Sequence, residues 1–142
     1  MWKKNIIVLH LMLVLNIFTF ASLNDDLLSY IKDNDLQNVK KCIENGADIN
    51  YSDYLLEGMS PLIASSMQGY YDITKYLIDN GANVNYQAEN GFTALMVSAQ
   101  NGYIKIVELL LSSGAKIDIK NSKKYSVIHI AVYNKKPDVL KE

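Results

Sequence analysis

His129 follows Ser126 by three residues, one helical turn, and is the one histidine beyond residue 21. Serine and histidine are two parts of an acyl-transfer site, but they work only with a third group that orients the base. The surrounding sequence offers no third member. Cys42 is the single cysteine, and with His129 it falls short of the set of ligands that zinc requires. At an apolar helix position a lone thiol reads as a buried, inert side chain; its other use is pairing with a cysteine of another protein in an oxidising compartment. Asn50-Tyr51-Ser52 has the form of a glycosylation triplet. The glycines are spaced as helix punctuation, not as a phosphate-cradling loop. These residues predict no catalysis, no metal, no cofactor and no small-molecule substrate.

The 142 residues, 49% hydrophobic and 20% charged, make one globular domain and are too apolar for a disordered chain. All 14 basic residues are lysines, against 15 acidic ones. The net charge of −1 and the lack of arginine argue against a nucleic-acid partner. Charge is uneven: residues 22–115 carry 5 Lys against 12 acidic groups, and residues 116–142 carry 7 Lys against 3. Such a gradient orients a charged partner on approach.

The chain opens on Met1-Trp2-Lys3-Lys4, a short positive start. Ile6 to Phe20 is then apolar apart from His10, Asn16 and Thr19. This run suits a signal-peptide core and is short of the roughly 20 residues of a membrane span. Thr19 and Ala21 place small side chains three and one residues before a cleavage point. Residues 1–21 are therefore expected to be a cleaved secretory signal, and the product to be exported, periplasmic or secreted. The alternative is an uncleaved anchor, the one case in which the membrane is a partner.

These side chains are positioned by internal repeats. Ser60-Pro61-Leu62-Ile63-Ala64 and Gly69-Tyr70 return 33 residues later as Thr93-Ala94-Leu95-Met96-Val97 and Gly102-Tyr103, and the offset continues to Ser126-Val127-Ile128-His129. A second signature closes each unit: Asn45-Gly46-Ala47-Asp48-Ile49-Asn50, Asn80-Gly81-Ala82-Asn83-Val84-Asn85 and Ser113-Gly114-Ala115-Lys116-Ile117-Asp118. Each unit reads as helix, tight turn, helix and polar loop. Ser60 or Thr93 supplies the N-cap, Pro61 takes the first helical position, and Gly69 or Gly102 ends the first helix. Ile73, Leu77 and Ile78, then Ile106, Val107, Leu110 and Leu111, give the second helix its apolar face. No unit of this size buries that face alone; stacking does.

With these signatures in view, the chain resembles the ankyrin-repeat family over essentially all of residues 22–142. The resemblance implies an all-α ankyrin-repeat solenoid of stacked helix-turn-helix units with hairpin-like loops, about three and a half repeats. Their approximate bounds are 24–52, 53–87, 88–120 and an incomplete 121–142, whose second helix is expected to begin at Pro137 and to run barely one and a half turns to Glu142. In the first repeat Asn34 replaces the turn glycine and Lys41 a core leucine, as an outward-facing cap needs. His129 resembles the histidine of the family's Thr-Pro-Leu-His motif, which ties helix ends together. Tyr70 and Tyr103 are expected to pack between repeats, and Tyr51 and Tyr86 to be more exposed.

The function that the resemblance implies is a protein-binding scaffold whose loop tips and first helices form a concave surface. The expected partner is another protein. Met59, Phe92 and Tyr125, 33 residues apart and each just before a repeat's Ser or Thr, are expected to line up as exposed apolar side chains and are the candidate hot-spot row. Met67, Gln68, Gln100, Asn101, Tyr133 and Asn134 are expected to flank it, with Tyr54, Glu57 and Glu89 at the loop tips. The alternative is a membrane-anchored structural subunit of an envelope complex, with residues 1–21 retained.

Overall fold

The computed structural model describes the backbone of residues 2–134 and, apart from positions 2–4, 16–21 and 55, their side chains. The expected second helix from Pro137 lies outside the described residues. Within them run α1 (Trp2–Lys32), α2 (Leu36–Glu44), α3 (Pro61–Gln68), α4 (Tyr71–Asp79), α5 (Ala94–Asn101), α6 (Ile104–Ser112) and α7 (Val127–Tyr133), with a 3-10 turn at Tyr54–Leu56. An isolated antiparallel bridge joins Asp53 to Met59. The fold is the expected all-α solenoid. α1, α3, α5 and α7 pack in one layer, and α2, α4 and α6 in the other.

Local chemistry sets the helix ends. Ser60 Oγ accepts the backbone N–H of Ile63 at 3.3 Å, and Thr93 Oγ1 accepts that of Met96 at 3.3 Å, each satisfying an orphan amide of a first turn. Gly69 closes α3 at φ 79°, a left-handed conformation that strains other residues. A Cβ there would stand 2.7 Å from the Tyr103 ring, so the next repeat needs the glycine as much as the turn does.

Leu62, Ile73, Leu77, Leu95, Ile106 and Leu110 are each 2% exposed or less. Burying a side chain of this kind contributes about 1.5–3 kcal/mol, and neighbouring repeats share the resulting core. Cys42 is buried beside Val39 in this layer, which pushes its thiol pKa up; the Asp26 carboxylate adds to the shift.

In the first unit Asn34 takes the left-handed turn position at φ 55°, and Lys41 is exposed on the outer side. α1 runs unbroken from Trp2 into this unit, where Leu27, Leu28 and Ile31 are buried. Toward its start, Ile6 to Leu9 and Leu11 to Leu15 are exposed apolar residues. Among the described residues no helix is long and apolar enough to cross a membrane.

Side-chain amides stitch the repeats at their closing loops. Asn24 Oδ1 accepts the backbone N–H of Asp48, Asn50 Oδ1 that of Asn83, and Asn85 Oδ1 that of Lys116, each at 2.8 Å. The same bond thus recurs at three successive steps of the stack.

Candidate protein-interaction groove

The long loops that precede α3, α5 and α7 stand side by side. Glu89 donates its backbone N–H to the carbonyl of Glu57 at 2.9 Å, and Ser122 donates to the carbonyl of Asn90 at 3.0 Å. The three tips therefore form one hydrogen-bonded row. Gly91 permits this closeness, because a Cβ there would meet the backbone of Asn121 and Ser122 at 2.8 Å.

Between the first two tips and α3 and α5 lies a groove of about 190 Å³. Met59, Ile63, Met67, Phe92 and Val97 supply apolar walls, Leu56 and Ala88 extend them, and Glu57, Asn90 and Gln100 line the rest. Five of the twelve expected interface residues meet here: Glu57, Met59, Met67, Phe92 and Gln100. Met59 and Met67 also border a smaller hollow of about 40 Å³, with Gln68, Leu28, Ile31 and Lys32.

The remaining expected residues lie around this centre. Tyr125 continues the row one repeat on; it is 49% exposed and stacks on His129 with ring centroids 6.1 Å apart. Tyr54 and Tyr133 are 85% and 84% exposed. Glu89 is exposed at its tip, and Asn134 is the half-buried C-cap of α7. Asn101 sits on the same face, but its amide donates to the carbonyl of Met67 at 2.9 Å and so ties two repeats together.

Several side chains are placed differently from the sequence reading. Met59 and Phe92 are half-buried pocket walls, not fully exposed groups; only Tyr125 of the row is exposed. Tyr51 and Tyr86 are half-buried against the core, because each packs on the unit before it: Tyr51 lies beside Asp25 of α1, and Tyr86 reaches the loop that precedes α3. The Tyr86 hydroxyl donates to the carbonyl of Gly58 at 3.0 Å. Burial, followed by the charges of Asp25 and Asp53, raises the pKa of Tyr51. Tyr103 is the more exposed of the four at 37%, although its ring does pack on the preceding repeat at Gly69. Leu56, Ile63, Ala88, Val97 and Asn90 were missed as groove residues. Ile63 and Val97 are buried, at 2% and 8% exposed, and read in sequence as core residues of the first helices, so their part in the groove wall carries no separate signal.

The Ser126–His129 pair is local structure. Nδ1 of His129 accepts the backbone N–H of Ser126 at 3.3 Å and lies 2.8 Å from its Oγ, which closes a capping box at the start of α7. Among the described residues no cluster of three or more His, Cys, Asp or Glu could hold a metal. What the groove offers is shaped apolar surface ringed by polar groups, the material of recognition.

Comparison with known proteins agrees with this architecture. A family model described as ankyrin repeats, in three copies, matches residues 27–121. The rat protein "Ankyrin repeat and SAM domain-containing protein 6" is 38% identical over 56 residues, 39% of this chain and 6% of that protein. The Dictyostelium discoideum "Acyl-CoA-binding domain-containing protein 6 homolog" is 41% identical over 59 residues, 42% of this chain and 20% of that protein. These matches therefore span only a small part of either relative. With its signatures, stacked helix pairs and a family match over more than half its length, the chain belongs to the ankyrin-repeat family.

Proposed function

We propose that this chain is an exported, non-catalytic scaffold that binds another protein through the groove between its loop tips and first helices. The observation that carries the reading is the Met59–Phe92 pocket. Its walls are largely apolar, it lies between two loop tips and the first helices α3 and α5, and exposed Tyr125 stands at the corresponding position of the next repeat. Exposed or half-exposed large apolar groups gathered in one place are interface material, whereas scattered ones are ordinary. Repeat stacks present such extended surfaces as a consequence of their construction.

A photo-crosslinking amino acid at position 92 tests the binding role in the native host. A discrete crosslinked protein that is absent when the same group replaces Lys105, exposed on the second-helix layer, supports the reading. Equal labelling from both positions refutes it. Export rests on the sequence of residues 1–21. Intact mass of protein recovered from the envelope or medium is expected to begin at Ser22. A mass that retains Met1 or its neighbours favours the anchored structural subunit.

A further inference from the structure

We infer that the partner segment filling the Met59–Phe92 pocket is a peptide with one large apolar side chain flanked by opposite charges, a cation over Glu57 and Glu89 and an anion over Lys123 and Lys124. The inference rests on the proposed binding role of the groove and adds the chemistry and polarity of what binds.

The first helices beneath the groove are neutral. α3, α5 and α7 contain no Asp, Glu or Lys, so charge near the groove comes from the loops and, beyond Met59, from Lys32 at the end of α1. Glu57 and Glu89 are both exposed, on tips joined by the 2.9 Å backbone bond. Asn90 donates its amide to Glu57 Oε2 at 3.3 Å, which holds that carboxylate at the groove. Among the described residues no lysine pairs with either glutamate.

The third tip has the opposite sign. Residues 119–125 hold Lys120, Lys123 and Lys124 and no acidic residue, and Ser122 bonds this tip to the second. Lys124 stands where the two preceding repeats have Gly58 and Gly91, and keeps the same left-handed backbone at φ 66°. A Cβ at Gly91 would meet the backbone of the following loop at 2.8 Å, which leaves no room for a side chain, and one at Gly58 would crowd Glu89 at 3.0 Å. Along the row the tips therefore read acid, acid, base. Lys32 lies beyond this set, on the smaller hollow on the far side of Met59.

Size selects the occupant. Small-molecule sites enclose about 300–1,000 Å³. A groove of about 190 Å³ is smaller, and suits a single large apolar side chain delivered by a chain that continues along the tips. Charges on the rim of such a site fix direction and association rate more than they add affinity.

The test uses the full chain and a random-peptide display library. Enriched peptides are expected to share a large apolar residue with Lys or Arg on one side and Asp or Glu on the other. A synthetic peptide of that consensus should bind about tenfold or more weakly to Phe92→Ala. It should bind several-fold more weakly to the double variant Glu57→Lys/Glu89→Lys, and to Lys123→Glu/Lys124→Glu, with the loss growing at low salt. A peptide with its charges exchanged should bind the protein with all four charges reversed as wild type binds the original. Peptides that depend on Phe92 but ignore every charge reversal overturn the polarity and leave the groove intact as a binding site. Enrichment that is indifferent to Phe92→Ala, or no enrichment, overturns both.

Discussion

The side-chain oxygen of Asn50 accepts the backbone N–H of Asn83 at 2.8 Å, across 33 residues of sequence. Asn24 with Asp48 and Asn85 with Lys116 repeat the bond at the same length. A hydrogen bond of this kind contributes about 0.5–1.5 kcal/mol net. Asn50→Ala and Asn85→Ala are each expected to lower stability by that amount in urea melts. Midpoints equal to wild type would show that the amides follow the stacking without strengthening it.

Ser66 is fully buried in α3, and among the described residues its Oγ has no hydrogen-bond partner. The next repeat places Ala99, also fully buried, at the corresponding position, so the site accommodates a methyl group. Leaving a buried hydroxyl unsatisfied costs about 1–3 kcal/mol. Ser66→Ala is therefore expected to raise stability by about 1 kcal/mol, read as a higher urea midpoint with unchanged slope. A clear loss of stability would contradict the absence of a partner.

Lys124 separates folding from recognition. A left-handed backbone costs a residue with a Cβ about 1–2 kcal/mol, of which glycine's greater freedom in the unfolded chain offsets part. Lys124→Gly should thus stabilise the protein by roughly 0.5–1 kcal/mol while weakening binding of a peptide that is acidic on that side. Reduced stability would mean that the lysine side chain supports the loop.

Asp35 caps α2. Its carboxylate accepts the backbone N–H of Asn38 at 3.0 Å and the amide of Asn38 at 2.7 Å, and these bonds, the backbone one foremost, hold its pKa below the usual carboxylate value. A lowered native pKa stabilises the fold above the unfolded-state value, and that contribution is lost as pH falls through the native one. The stability deficit of Asp35→Ala should be full at neutral pH and shrink below about pH 4. A deficit that does not change between pH 6 and the acid transition would contradict the cap.

How much of this could be read from residues alone depends on the range of the interaction. Ser60, Thr93, Gly69 and Gly102 act within one turn of themselves, and their roles follow from type and spacing. Asn50 and Asn85 stand out in the closing signature, but their acceptor role appears only once the repeats stack. Asn24, within α1, shares no local pattern with them. The 33-residue recurrence of Met59, Phe92 and Tyr125 pointed to the face and not to its depth. Ile63 and Val97 build the walls through contacts between repeats. Tyr51 and Tyr86 were misjudged for the same reason: each follows a polar loop in sequence and packs on the preceding unit in space.

The row through Met59, Phe92 and Tyr125 is the proposed protein-binding surface. Once the crosslinked partner is purified, its affinity should be measured by calorimetry for wild type, Phe92→Ala, Tyr125→Ala and the double variant, each first shown by melting to be folded. Loss of about 2 kcal/mol or more for Phe92→Ala, some thirtyfold in affinity, is the expected result. Unchanged affinity in both single variants and in the double variant would contradict the account and move the interface to another face.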